Sequence, residues 1–314
     1  MAAHTGLGGL GDLLAAGLRA LSRYTGTLFA VFLVQSIVAG ACIVGVAIVL
    51  AETFARLPIF DEAVDGSLVA LLWVFRHGHT SFLAIAGVVI AALALWQLAT
   101  WFLAGGIYGV LSQRPESRGD TARCFGASGA ATYLAYFRLA LVALPGYVLV
   151  LATFTITLSI AVPRLELALS TFDLLSALSI IAIPTGLLLH FFWTVTDYAR
   201  VELTLRHETH HIGALATYFR SLLYVLKRPL TLAHGAVGWL LWLLVTVAYA
   251  YLAHGNPMYG ATGAITLFLV RQGVSLLRMA IRVAILAGQV ELGRTRPLPA
   301  VRIPVEGEAP PHRG

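Results

Sequence analysis

Long apolar stretches alternate with short polar ones along nearly the whole chain. Six of them, roughly 27–51, 81–111, 139–161, 176–196, 232–254 and 263–290, reach the length that a helix needs to cross a bilayer. A hydrocarbon core about 30 Å thick takes about 20 consecutive apolar residues. The pattern predicts an all-α fold, a polytopic transmembrane helix bundle of six spans. Residues 1–26 then form a cytoplasmic amphipathic segment, 27–290 the six-span domain, and 291–314 a cytoplasmic tail. Pro297, Pro299, Pro304, Pro310 and Pro311 mark that tail as disordered. Connections this short leave little chain for a separate soluble domain.

An amphipathic segment carrying arginine precedes each odd-numbered span. These are Leu13 to Arg23, Ala130 to Arg138 and Ala214 to Tyr224, and Tyr136-Phe137-Arg138 matches Tyr218-Phe219-Arg220 outright. A period of about 80–100 residues would make three copies of one unit, an interfacial helix followed by an outward and an inward span. The alternative is that any helix entering a membrane from its basic side looks like this.

Composition agrees with the pattern. Hydrophobic residues make up 59% of the chain and charged residues 11%, against roughly a quarter charged in soluble domains, and one water-soluble core cannot bury that excess. The Lys and Arg residues also fix an orientation. Segments 1–26, 112–138, 197–231 and 291–314 hold 2, 4, 5 and 4 of them, whereas 52–80, 162–175 and 255–262 hold 2, 1 and none. Basic loops stay cytoplasmic, so an even number of spans puts both termini on that side. The net charge of +6 is then a topology signal and no sign of nucleic-acid binding, for which no basic soluble surface exists. The first apolar stretch is too long for the core of a cleaved signal peptide and reads as a retained span. Ala39-Gly40-Ala41-Cys42 resembles a lipoprotein processing site only superficially, because the apolar run continues past Cys42. Cys42 and Cys124 fall in different compartments of this map and form no structural disulfide.

Three short features carry a resemblance. Phe102-Leu103-Ala104-Gly105-Gly106 closes the second span, Asp197-Tyr198-Ala199-Arg200 closes the fourth, and Arg271-Gln272, Arg278 and Arg282-Val283-Ala284 sit in the last. On these the chain resembles a group of bacterial six-span membrane proteins that bring no established activity. The resemblance implies the same architecture and an inner-membrane setting, and carries over no catalytic residue.

Several residues are candidates for chemistry. His207-Glu208-Thr209-His210-His211 reads H-E-x-x-H, which on a helix puts His207 and His211 one turn apart as zinc ligands, with Glu208 activating water. Arg206 sets a cation beside that metal, Gly213 weakens the helix, and the third ligand has only uncommitted candidates such as Asp197 and Glu202, so a solvated loop is the leading reading, ahead of a metalloprotease and of another metal or proton site. His77-Gly78-His79, behind Trp73 and Phe75, is an interfacial anchor ahead of a metal site, and His190 a packing histidine ahead of a proton relay. Arg271, Arg278 and Arg282 fall within about 40° of one another at about 100° per residue, a single stripe on the sixth span. Arginine near the bilayer centre costs at least about 2.5–3.5 kcal/mol, so the stripe faces protein, water or an anionic headgroup. Either it pairs with Asp197, Glu202, Glu166 or Gln97, or it binds an anion or anionic lipid. Arg282 is near enough to the surface to snorkel, which makes Arg278 the strongest candidate. Gly105 and Gly109 form a G-x-x-x-G for close helix packing. Pro145-Gly146 and Pro184 are kink sites that can open a mid-membrane cavity.

No phosphate loop, dinucleotide fingerprint or serine-nucleophile motif stands in the chain, and no cofactor is indicated. Three functions follow in order: a scaffold or accessory subunit of a larger complex with a protein partner at the cytoplasmic face, a transporter, channel or lipid-handling protein using the arginine stripe, and a zinc-dependent membrane hydrolase.

Overall fold

Prolines and serines decide where the helices begin. The computed structural model describes residues 9–54, 79–166, 170–206, 213–255 and 260–298, and within them eight helices and no strand. In chain order they are α1 (Leu10–Arg23), α2 (Thr25–Phe54), α3 (His79–Gln113), α4 (Arg118–Glu166), α5 (Thr171–Leu205), α6 (Ala214–Lys227), α7 (Pro229–Gly255) and α8 (Gly260–Thr295). Each of the six expected spans lies inside one of the long helices.

Ser170 opens α5 with a capping box, its hydroxyl accepting from the Asp173 amide and the Asp173 carboxylate accepting from the Ser170 amide, both at 3.1 Å. Ser117 caps α4 by accepting from the Asp120 amide at 3.1 Å, while its hydroxyl donates to the Asp120 carboxylate at 2.6 Å. Pro229 begins α7 at the position where a missing N–H costs nothing, and it forces Arg228 out of helical geometry. That break separates α6 from its span. The second arginine-bearing segment has no such break, so residues 130–138 are fused with the span into one helix of 49 residues, about 70 Å long. Between α1 and α2 the interruption is slight, since i to i−4 bonds continue through Tyr24 on both sides.

Pro145 and Pro184 sit within uninterrupted helices. Gly146 receives the ring of Phe192, whose nearest carbon would stand 2.7 Å from an added Cβ. The space beside the proline is therefore filled by an aromatic ring. Of the tail expected from residue 291, the first residues belong to α8, which runs to Thr295, and Leu298 is buried at 2% exposure. Residues 299–314 lie outside the described residues.

The described residues divide into two compact units. The first is drawn from segments 1–16, 138–237 and 285–314, the second from 17–137 and 238–284. In the first, Leu13, Leu139, Val195, Tyr198, Tyr224 and Leu292 belong to one apolar core. The rings of Tyr198 and Tyr224 lie 5.3 Å apart within it.

In the second unit α3 and α4 meet along a seam of small residues. Gly105 faces Thr132 and Gly129, and Gly109 faces Ser128, with no room for a Cβ at either. Tyr108 packs edge-on against Tyr136 at 6.2 Å, and Trp101 against Phe137 at 5.2 Å. Elsewhere on the long helices large apolar side chains point outward. Ile37, Ile90, Leu187 and Leu244 each expose more than 60% of their surface, an apolar exterior that hydrocarbon accommodates and water does not.

Candidate functional site: a buried charge cluster and an intramembrane arginine

At the C-terminal end of α5 the sequence places two carboxylates and two arginines at helical spacing. Asp197 faces Arg200 at 3.7 Å, and Glu202 faces Arg206 at 3.0 Å. Packing of α6 against this end brings in a third arginine, Arg220, whose Nη2 lies 3.4 Å from the same Glu202 oxygen. Asp197, Glu202 and Arg220 are 1%, 3% and 7% exposed. Both contacts of that Glu202 oxygen are ion pairs by distance, without hydrogen-bond alignment. Burial pulls the Arg220 guanidinium below its ordinary value, opposed by Glu202 and reinforced by Arg206.

An ordinary interfacial helix turns its arginine towards water, whereas α6 is inverted. Thr217, Tyr218, Arg220, Ser221 and Tyr224 are buried, and Leu215, Phe219, Leu223 and Leu226 point outward at 53–60% exposure. The matched tripeptides therefore diverge at one residue. Tyr136 and Tyr218 are both buried and Phe137 and Phe219 both exposed, but Arg138 is exposed where Arg220 is not. In α1 both arginines, Arg19 and Arg23, face outward.

The same cluster holds the end of α8. Arg206 donates to the Leu298 carbonyl at 3.1 Å, and the Tyr224 hydroxyl donates to the Arg296 carbonyl at 2.9 Å. Arg228 lies over the Tyr224 ring at 4.4 Å and donates to its hydroxyl at 3.1 Å. Burial raises the Tyr224 phenol, with Arg228 opposing. Burial also pushes the Tyr218 phenol up to about 12.

Two histidines join helices of this unit. His190 Nε2 meets the Leu232 carbonyl at 3.0 Å, and the fully buried His234 Nε2 meets the Ile285 carbonyl at 3.1 Å. A carbonyl only accepts, so Nε2 carries the proton in both. Gly235 and Gly288 provide the notches into which these rings fit. His234 carried no periodic or motif signal in the sequence.

In the second unit Arg278 of α8 is half-buried. Its Nη2 donates to Thr246 Oγ1 at 2.7 Å, and its guanidinium lies 4.6 Å from the Trp242 ring centre. Its partners are thus a hydroxyl and an indole of α7, in place of the carboxylates or Gln97 considered from sequence. Its Nε is buried without a hydrogen-bond partner. Arg271, seven residues earlier on the helix, is exposed, and Arg282 is half-buried.

The H-E-x-x-H residues His207 to His211 lie outside the described residues, as do His77 and Gly78. The two carboxylates available as a third zinc ligand, Asp197 and Glu202, each face arginine. Among the described residues no three His, Cys, Asp or Glu side chains group together as a metal site. Cys42 and Cys124 are free thiols.

Among the described residues six helices are long and apolar enough to cross a bilayer, and they make this a multi-pass integral membrane protein. Compared with models of protein families, with curated proteins and with solved structures, the chain matches none.

Proposed function

We propose that this membrane protein is a non-enzymatic scaffold or accessory subunit of the cell inner membrane, with both termini cytoplasmic. The observation that carries this reading is the inverted helix α6. Its polar face is locked inward by Glu202 and by the bonds to the end of α8, which leaves Leu215, Phe219, Leu223 and Leu226 as a fixed outward ridge. A ridge that is rigid before contact loses little side-chain and backbone freedom on association. The charged groups behind it are paired with one another, two carboxylates with three arginines, an arrangement suited to fixing geometry. Photoactivatable residues at Phe219 and Leu223, irradiated in native membranes, are expected to trap one discrete second polypeptide, while the same residue at Leu187 traps only lipid. Lipid adducts alone at all three positions would refute the reading.

A second reading rests on Arg278. A guanidinium inside a span, with one buried nitrogen unused, supports handling of an anion or an anionic lipid. Arg278→Ala is then expected to abolish anion-dependent stabilisation of the purified protein while its helical content stays intact. Equal stabilisation of both forms by added anions would exclude it.

A further inference from the structure

A groove of about 660 Å³ opens in the second unit beside the start of α2, inside the range of about 300–1,000 Å³ typical of small-molecule sites. Its lining changes along the helix. At one end stand Arg23 and Thr25, joined from α4 by Arg118 and Thr121, and further in come Ala30 and Val34, with Leu103 of α3. The first apolar span begins at Thr25. The polar end therefore falls at headgroup depth, and Val34, about 14 Å further along the helix, falls among the acyl chains.

The two arginines retain donors. Arg23 uses one nitrogen, Nη2, to hold the carbonyls of Arg114 and Pro115 at 3.3 Å each, and this pins the tight turn where Arg114 takes a φ of 56°. Its Nε and Nη1 make no such bond. Arg118 has no hydrogen bond or ion pair among the described residues. Two acids stand two residues from Arg118; Asp120 is engaged by Ser117 Oγ at 2.6 Å and by Arg123 at 4.0 Å, and neither it nor Glu116 lines the groove. In the sequence Arg118 counts only as a loop charge and Arg23 as an arginine of the first amphipathic segment, and the fold gathers them at one mouth.

We propose that this groove binds an anionic phospholipid, with Arg23 and Arg118 holding the phosphate and Ala30, Val34 and Leu103 flanking an acyl chain. Charge and depth select the occupant together. A soluble anion has no use for the apolar half, and a zwitterionic lipid cancels the attraction at the polar half.

The test is native mass spectrometry of the purified full chain with dioleoylphosphatidylglycerol and dioleoylphosphatidylcholine offered in equal amounts. The wild-type protein is expected to retain the anionic lipid preferentially, and each of Arg23→Gln and Arg118→Gln to lower that preference about fivefold. Ala30→Trp fills the groove with its charge intact and is expected to remove the preference too. Arg19→Gln, an exposed arginine of α1 outside the lining, is the control and leaves it unchanged. Arg118 is exposed and has no partner among the described residues, so its variant folds and keeps the test decisive. No preference in the wild type, an equal loss in Arg19→Gln, or an undiminished preference in Ala30→Trp would each overturn the proposal.

Discussion

Replacing Glu202 by glutamine removes one negative charge and almost no volume from the interior of the first unit. The carboxylate oxygen that serves Arg206 at 3.0 Å and Arg220 at 3.4 Å becomes a neutral amide oxygen. At 3.4 Å and an effective dielectric constant near 20, the attraction between Glu202 and Arg220 is of order 5 kcal/mol before desolvation. Arg206, at 22% side-chain exposure, regains water when released, but Arg220, at 7%, does not. Breaking one side of a buried pair costs about 3–5 kcal/mol, because the other charge stays buried. We take the lower figure, about 3 kcal/mol, because Arg220 has further contacts. At about 2 °C per kcal/mol for a chain of this size, the apparent melting midpoint should fall by about 6 °C. Intrinsic fluorescence in detergent reads this from six tryptophans. A second variant isolates the cause. Adding Arg220→Met removes the stranded charge and should recover at least half of the loss, since an apolar pair of similar volume often replaces a buried ion pair without penalty. A midpoint within about 1 °C of wild type for Glu202→Gln, or a double variant no more stable than the single one, would refute the reasoning.

Three further outcomes are expected. Gly109→Val should destabilise by about 1–3 kcal/mol, because its side chain must displace Ser128 across the α3–α4 seam; Gly87→Ala, with nothing within 4 Å, should be neutral or gain up to about 1 kcal/mol, and equal melting midpoints for the two would count against the seam. Tyr218, whose phenol is raised to about 12 in the fold against about 10 when unfolded, contributes stability that is complete below pH 10 and is lost as pH rises towards 12. Tyr218→Phe also removes a buried hydroxyl without a partner, so melts at pH 9 and pH 11.5 should differ less in the variant than in wild type. Thr246→Val deletes the acceptor of the Arg278 bond and should cost about 1.5–3 kcal/mol; it should also shift the emission of Trp242, over which the guanidinium lies, and an unchanged spectrum with an unchanged midpoint would mean that the contact is not held in the membrane.

Parts of the site were legible in the chain and parts were not. Asp197 with Arg200 and Glu202 with Arg206 stand three and four residues apart, the spacing at which helical side chains meet. Arg220 shows only its place on an amphipathic segment, and the convention that arginine faces water points the wrong way for it. The convention fails because Glu202 is buried beside it and offers a better partner than the headgroup region does. Arg278 was legible as a residue needing company inside a span, but the sequence offers carboxylates before a threonine and a tryptophan as that company. The H-E-x-x-H run lies outside the described residues, and Asp197 and Glu202, weighed as its third ligand, each face arginine.

The spans follow from the sequence alone, because bilayer thickness sets their length and every backbone group within them bonds to its own helix. Their six positions needed no knowledge of neighbours. Helix starts were equally local, a matter of Ser117, Ser170 and Pro229. Burial of the polar groups was decided only in the tertiary structure, because the partners of Arg220 and Arg278 stand on other helices. Which faces of two apolar helices meet depends on side-chain shape along their whole contact, at seams such as Gly105 with Thr132, and no single segment carries that information.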